Sequence, residues 1–234
     1  MKKLLVFFFL GFLAVPTIAV AQQMMIGARG GVNLANEHYD NLPDGESISG
    51  RMLPLVGGQL DYHVGDSWVL SIQLLYDQKG AEANMKSFSY GYNGSEGIAD
   101  WSISYIELPI LAKVSFGSSA VRPYFFAGPS IGYLLSNTET VQAGGGTYIP
   151  NGIGINYRID TTVSITDYTN KIDLSLVAGA GVSWELPHGA EFFLDASYAY
   201  GLTNSDHYSW DNDEGIYVYS RDIRIAAGVL FPIH

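Results

Sequence analysis

The stretch that decides the fold is Trp68-Val69-Leu70-Ser71-Ile72-Gln73-Leu74-Leu75-Tyr76-Asp77-Gln78-Lys79. Its even positions from 68 to 76 are large and apolar, whereas its odd positions include Ser71, Gln73 and Asp77. Because successive side chains of a β-strand point to opposite faces, this alternation predicts a strand with one apolar and one polar face. The same alternation recurs in seven further segments, which are residues 25–34, 55–64, 101–116, 121–135, 171–186, 191–200 and 222–231. Together they predict an all-β chain.

The charged residues indicate which face of each strand meets which environment. Nearly every charge within a strand lies on the parity opposite the apolar face. An Arg or Lys on a lipid-facing position at mid-bilayer costs about 2–4 kcal/mol, and this pattern avoids that penalty. A soluble barrel would place the apolar face inside, and for any single strand that alternative stays open. Taken together, the eight opposite faces are polar and glycine-rich, so we expect no dry core and an apolar face turned to lipid.

The links between the strands alternate in length. Four are long, at 35–54, 80–100, 136–170 and 203–215, and three are short, at 65–67, 117–120 and 187–190. Outer membrane barrels have short periplasmic turns and longer extracellular loops. The pattern predicts an eight-stranded antiparallel transmembrane β-barrel in the cell outer membrane, with both termini in the periplasm. Prolines within strands remove ladder donors, so Pro109, Pro123 and Pro129 predict bulges or strand ends.

The first 21 residues have the three parts of a secretory signal. Lys2 and Lys3 are followed by an uncharged apolar run and then by the small-residue site Ala19-Val20-Ala21. The apolar run is short for a spanning helix, which needs about 20 residues. We therefore expect cleavage after Ala21, which leaves residues 22–234 as a single barrel domain.

Composition restricts the classes of partner. The chain has 12 Lys plus Arg against 23 Asp plus Glu, and without Lys2 and Lys3 the balance is 10 against 23, a net charge of −13. Nucleic acid binding requires a basic patch, so nucleic acid is not expected as a partner. Cysteine is absent, which excludes disulfides and thiolate metal sites. The 16 Tyr and 27 Gly fit a membrane barrel, where aromatic residues form interfacial girdles.

Charged residues on the inward parity form the first candidate site. An eight-stranded barrel is just wide enough for side chains to fill its lumen, so we expect a network of salt bridges that plugs it, with Glu107 pairing to Arg224 or Arg29. In the alternative interpretation, the same pair gates a narrow path for ions. The network is predicted to comprise Arg29, Asp61, Asp77, Glu107, Lys113, Arg122, Asp173, Asp195, Asp222 and Arg224.

Aromatic residues in the long links form the second candidate site, because long loops on a rigid scaffold often carry binding. The candidates are Tyr148, Tyr157, Tyr208 and Trp210. Loop packing or interfacial anchoring is an equally good interpretation of these residues. The acidic run Asp211–Gly215 lacks the ligand spacing of a calcium loop, and the five histidines show no metal spacing, so neither metal nor cofactor is expected.

Signatures of catalysis are missing. Ser205 and Ser209 lie near His207, but polar loops bring such residues together by chance. The sequence contains neither Gly-x-Ser-x-Gly nor His-Glu-x-x-His. We therefore predict that the chain is not an enzyme.

Four segments resemble a known family. They are YIELPILAK at 105–113, RPYFFAGP at 122–129, AGAGV at 178–182 and YAYGLTN at 198–204, and they are similar to the outer-membrane β-barrel (PorT-like, "porin family") proteins of Bacteroidetes-type bacteria. The likeness extends over essentially all of residues 22–234. It implies a small Gram-negative outer membrane barrel whose partners are outer-membrane lipid and, during biogenesis, the barrel assembly machinery. It implies no shared activity and no catalytic residues.

The C-terminus departs from that family. Such barrels usually end on an aromatic residue read by the assembly machinery, but here Phe231 is followed by Pro232-Ile233-His234. Either Phe231 serves as the signal in a shifted register, or the tail is unusual.

The sequence as a whole predicts a structural or interaction protein that displays extracellular loops on a largely plugged barrel. A narrow porin-like channel for ions or small solutes is the first alternative. An accessory component of a protein secretion system, with a secretion-system or extracellular protein as its partner, is the second.

Overall fold

A computed structural model describes residues 24–35, 37–40, 47–85, 96–117, 119–149, 153–204 and 217–233. The segment predicted as a signal, residues 1–21, lies outside this part of the chain. The described residues form strands β1 (Met24–Ala35), β2 (Glu37–Asp40), β3 (Ser47–His63), β4 (Trp68–Lys79), β5 (Ala81–Met85), β6 (Glu96–Ser115), β7 (Val121–Ile149), β8 (Ile153–Ser164), β9 (Ile172–Glu185), β10 (Glu191–Gly201) and β11 (Tyr217–Ile233). Short 3₁₀ turns lie at Thr166–Tyr168 and Pro187–Gly189. None of the helical segments in this part is long and apolar enough to cross a membrane.

Eight of these strands close into a ring in the order β1-β3-β4-β6-β7-β9-β10-β11, with every pair antiparallel. The closing pair is β1 with β11, which are in register from Met24 opposite Ile233 to Leu34 opposite Ile223. The predicted eight-stranded antiparallel barrel is therefore confirmed. Strand β4 has the bounds that its alternation predicts, Trp68 to Lys79.

The two faces of the ring divide as predicted. Leu74 and Phe125 point outward and are 56% and 58% exposed, whereas Asp77 and Glu107 are buried in the interior at 0% and 1%. The apolar parity of each ring strand therefore forms the outer wall, and the charged parity lines the lumen.

The expectation of an interior too polar for a dry core is wrong in part. Met25, Leu111, Phe126, Phe193 and Leu230 are buried and pack in one apolar cluster. They lie on the charged parity, where the sequence pattern drew attention only to the polar and glycine positions. The lumen therefore combines a packed apolar cluster with buried charges.

Three further strands extend the sheet beyond the ring. β2 pairs with β11, β5 pairs with both β3 and β6, and β8 pairs with β7. We call the end of the barrel that carries β2, β5 and β8 the loop end. The opposite end, with the short connections 64–67, 116–120 and 186–190, is the turn end.

The long links were predicted as loops, and this is wrong in part. Most of the link 136–170 is a β-hairpin, in which β7 runs to Ile149 and pairs with β8 from Thr138–Ser164 to Ile149–Ile153. The glycine run Gly144–Gly146 lies within β7. The physical reason is that the flanking residues are rich in Thr, Val, Ile and Tyr, which favour extended pairing over an irregular loop.

The prolines do not shift the pairing register, and the β7–β9 ladder continues through both Pro123 and Pro129. In the β4–β6 ladder the pairs on either side of Pro109, Ile72–Ile110 and Leu75–Glu107, keep one register. The single register shift between β6 and β7 lies at Ser104–Tyr105 and not at a proline. The prediction of bulges or strand ends at the prolines is therefore wrong. Pro109 lies inside β6 and Pro123 and Pro129 lie inside β7, and a missing N–H removes a bond, whereas a bulge also requires an extra residue.

Candidate functional site in the barrel interior

The inward charges lie in two groups along the lumen. The group near the loop end comprises Asp77, Lys79, Glu107, Asp173, Asp222 and Arg224 and is called the loop-end cluster. The group near the turn end comprises Arg29, Asp61, Lys113, Arg122, Glu191 and Asp195 and is called the turn-end cluster. All except Arg122 are buried. The alternating strand pattern alone turns these side chains to the inside.

Lys79 occupies the centre of the loop-end cluster. Its Nζ lies 2.8 Å from Glu107 Oε1, 2.8 Å from Asp173 Oδ2 and 3.3 Å from Asp222 Oδ2. The amine also lies 5.0 Å from the ring centroid of Tyr105. One cation thus joins carboxylates from three strands, β6, β9 and β11, to its own strand β4.

Arg224 is the second cation of this cluster. Its Nη2 lies 2.7 Å from Asp77 Oδ2 and 2.8 Å from Glu107 Oε2. Asp77 also accepts a hydrogen bond of 3.1 Å from Asn33 Nδ2. Glu107 therefore bridges Lys79 and Arg224 with its two oxygens, and Arg29, the other arginine considered for it, lies elsewhere.

The loop-end cluster carries more acid than base. Four carboxylates stand against the two cations Lys79 and Arg224, which leaves a formal charge of −2. Thr203 Oγ1 donates to Asp173 at 2.7 Å, and Ser130 Oγ donates to Glu107 at 3.4 Å. A buried carboxylate without a partner is strongly destabilising. These hydroxyl donors therefore add partners for the carboxylates that the two cations alone do not neutralise.

The turn-end cluster is balanced, with three acids and three bases. Arg29 Nη2 lies 2.8 Å from Asp195 Oδ1, and Tyr124 Oη donates to the other Asp195 oxygen at 3.1 Å. Lys113 Nζ lies 3.4 Å from both Asp61 and Glu191. The chain Arg29–Gln59–Asp61 continues through bonds of 2.9 Å at each step.

Aromatic rings fill the space between these charges. The Arg29 guanidinium carbon lies 5.4 Å from the Phe193 ring centroid, and Lys113 Nζ lies 4.1 Å from that of Tyr124. The Tyr124 ring packs over Gly181, where a Cβ would lie 2.5 Å from Tyr124 Cζ. Phe193 packs over Gly228 in the same way. Inward glycines thus provide room for aromatic rings inside the lumen.

The arrangement joins strands from different sides of the ring through ion pairs in the lumen. A nucleophile needs a base within hydrogen-bond reach and a third group to orient that base. The buried acids instead contact cations and hydroxyls that fix them in place. Among the described residues no group of His, Asp and Glu could hold a metal ion.

Sequence reasoning missed Lys79 as a member of the network. Lys79 shares the odd parity of Asp77 on β4, so the period-two rule that selected Asp77 could also have selected it. Glu191 and Asn33 also point inward and are buried, and the predicted network omits both. All ten predicted network residues lie on the lumen side of the ring, as set out above.

The predicted loop residues are not brought together into one described site. Tyr148 lies in β7 opposite Gly154, and Tyr157 lies in β8 opposite Gly145. Tyr208 and Trp210 lie outside the described residues. The two tyrosines belong to one hairpin, which projects from the loop end.

Solved structures with a similar chain path are outer membrane proteins. OprG from Pseudomonas aeruginosa is 14% identical with a TM-score of 0.47, over 91% of this chain and 96% of that one. Neisserial surface protein A is 13% identical with a TM-score of 0.42, over 89% and 96%. The outer membrane protease OmpT from Escherichia coli is 10% identical with a TM-score of 0.39, over 90% and 97%. These likenesses concern the fold alone.

Comparison with curated protein sequences gives no match. The model of one protein family, described as "Outer membrane protein beta-barrel domain", matches residues 20–207. This match spans most of the chain, including β1 to β10. The chain therefore belongs to the outer membrane β-barrel domain family.

Proposed function

We propose that this protein is a closed outer membrane barrel with a structural or interaction role. The observation that carries the proposal is the filling of the lumen: Lys79, Glu107 and Arg224 are joined by contacts of 2.8 Å and are at most 3% exposed. An interior held in this way leaves the loop end as the part able to meet a partner. The β7–β8 hairpin is its longest described projection.

The proposal includes an orientation. The loop end faces the outside of the cell and the turn end faces the periplasm, because outer membrane barrels keep their periplasmic turns short. Export after cleavage at Ala21, residues 22–234 as one domain, and the absence of enzymatic activity are parts of the same proposal.

Surface labelling of intact cells tests this orientation and display. A short epitope inserted between β7 and β8 is expected to be labelled by antibody without permeabilisation. The same epitope inserted at Asp66, in a short turn, is the matched control and is expected to stay unlabelled until the outer membrane is opened. If only the Asp66 insertion is labelled on intact cells, the turn end faces the outside and the proposed orientation is wrong.

A narrow cation path is the second candidate function. The observation that favours it is the formal charge of −2 in the loop-end cluster, since rings of acidic side chains select cations. If Glu107 gates such a path, Glu107→Gln should change the single-channel current of the reconstituted protein. An unchanged current would eliminate the gate.

A PorT-like role in protein secretion is supported by the sequence resemblance of 105–113 and 122–129. It predicts that a secretion component co-purifies with the protein in mild detergent, and that removal of the β7–β8 hairpin alters this association. A protein that purifies without such a component, from cells that secrete actively, would argue against this role.

A further inference from the structure

A cavity of about 550 Å³ opens in the outer wall of the barrel at the loop end. It is distinct from the lumen, because Met52, Tyr198 and Ile223 line it and are 66%, 43% and 49% exposed on the outward face. Its lining combines apolar side chains with two basic residues and includes Leu34, Met52, Tyr198, Ile223, Arg51 and Arg221. A site with one apolar surface and a few fixed polar groups is typical of small-ligand binding.

The cavity lies where the sheet separates. β1 and β3 pair as far as Ala35 opposite Arg51. Beyond that pair β2 continues along β11, whereas the first residues of β3 pair with β5. The two strands on either side of the cavity therefore diverge, which opens a seam in the outer wall.

Arg221 is held in position beside this seam. Its guanidinium carbon lies 3.8 Å from the ring centroid of Tyr200, its partner across β10 and β11. Its Nη1 donates to the carbonyl oxygens of Gly201 and Ser220, each at 2.9 Å. Within the described part of the chain, no carboxylate lies within salt-bridge distance of Arg221 and its Nη2 donates no hydrogen bond. The side chain is thus oriented while its charge is left for another partner.

The height of Arg221 on the wall matches the level of lipid headgroups. It shares the outward parity of β11 with Ile223 and Phe231. About ten residues of a strand tilted by about 40° rise about 25 Å, the height of the apolar band of an outer membrane barrel. If Phe231 marks one border of that band, Arg221 lies at the other.

We propose that this cavity binds a phosphate-bearing lipid of the leaflet that surrounds the loop end. The lipid phosphate accepts hydrogen bonds from the free edge of the Arg221 guanidinium, which matches phosphate geometry. The acyl chain lies over Tyr198, Ile223 and Met52. The apolar lining and the position at the headgroup level favour a lipid over a free anion or an acidic peptide.

Native mass spectrometry of the detergent-solubilised protein tests this proposal with dioctanoyl phosphatidic acid as the probe. We expect one retained lipid per barrel and at least tenfold weaker binding of dioctanoylglycerol, which lacks the phosphate. Arg221→Gln should weaken binding of phosphatidic acid at least tenfold. Lys171→Gln is the matched control: it removes an exposed positive charge that precedes β9 at the loop end, and binding should be unchanged.

Three results would overturn the proposal. They are undiminished binding to Arg221→Gln, equal weakening by Lys171→Gln, and binding of inorganic phosphate or an acidic peptide as tight as that of phosphatidic acid. Retention of the heat-dependent gel shift shows that a variant is folded. If Arg221→Gln fails this check, Tyr198→Ala replaces it, and it should weaken phosphatidic acid binding; undiminished binding would again overturn the proposal.

Discussion

At the scale of single residues, Lys79 is the central cation of the loop-end cluster. Its amine contacts carboxylates on three other strands, and it is 2% exposed. Period-two alternation predicts that such a side chain points inward. It cannot predict the partners, because they depend on the stagger of neighbouring strands around the ring, as with Arg29 and Asp195, which are 166 positions apart.

Replacing Lys79 should destabilise the barrel strongly. Lys79→Met keeps much of the side-chain volume but leaves Glu107, Asp173 and Asp222 close together without their shared cation, so we expect a loss of about 3–5 kcal/mol in the free energy of unfolding. Urea unfolding in lipid vesicles measures this loss. The exposed Lys171→Met should change stability by less than about 0.5 kcal/mol, and equal values for the two variants would contradict the proposed role of the network.

The inward glycines are the second feature at this scale. A Cβ on Gly181 would lie 2.5 Å from Tyr124 Cζ and 2.7 Å from Asp195 Cβ, whereas one on Gly65 would have nothing within 4 Å. Gly181→Ala should therefore lower the free energy of unfolding by about 1–3 kcal/mol through overpacking. Gly65→Ala, in a short turn, is the control. If Gly181→Ala unfolds at the same urea concentration as the control, the rings do not fill the lumen tightly.

At the scale of elements, sequence alternation predicts the ring strands better than the extensions. β4 has the bounds that its alternation predicts. Its pairing register is also fixed by the alternation, because a slip of one residue would turn every apolar side chain inward. Sequence alternation does not predict β5 and β8, because they lie outside the ring. There the two faces of a strand do not meet lipid on one side and a polar lumen on the other, so apolar and polar residues need not alternate. The β7–β8 hairpin instead depends on pairing between its own strands.

The apolar outer wall of β4 gives a prediction for this scale. Leu74→Arg places a charge on an outward position that is 56% exposed in the middle of β4, and should cost about 2–4 kcal/mol in lipid. Val163→Arg, on β8 and 51% exposed, lies beyond the ring and should have little effect. If urea unfolding gives comparable losses in the free energy of unfolding for both variants, position 163 on β8 also lies within the membrane, and this prediction is wrong.

The β7–β8 hairpin should be dispensable for folding. The ring strands pair with β7 only as far as Gly144, with β9 ending at Tyr133 and β6 at Gly144, whereas residues 145–149 and 153–157 pair only with each other. Replacing residues 145–157 with a two-residue turn should leave the heat-dependent gel shift intact. Loss of the shift, while an equally long insertion between β7 and β8 is tolerated, would show that the hairpin supports the ring.

At the scale of the whole molecule, the closed ring and the filled lumen form one structure. The ring pairs every strand with two neighbours, and the two clusters connect strands that are not adjacent, such as β4 with β9 and β1 with β10. The sequence predicts the class of fold and the lining of the lumen. It does not predict the unequal charge of the two clusters, since that follows from which inward residues meet.

The most direct test of the closed lumen is the conductance of the purified wild-type protein in planar lipid bilayers. Insertion is established first by the heat-dependent shift in gel mobility. A folded, inserted barrel without current steps is the result that we predict, because the loop-end and turn-end clusters obstruct the lumen. Stable steps whose size rises with salt concentration would contradict this account and establish an open path along the inward charges.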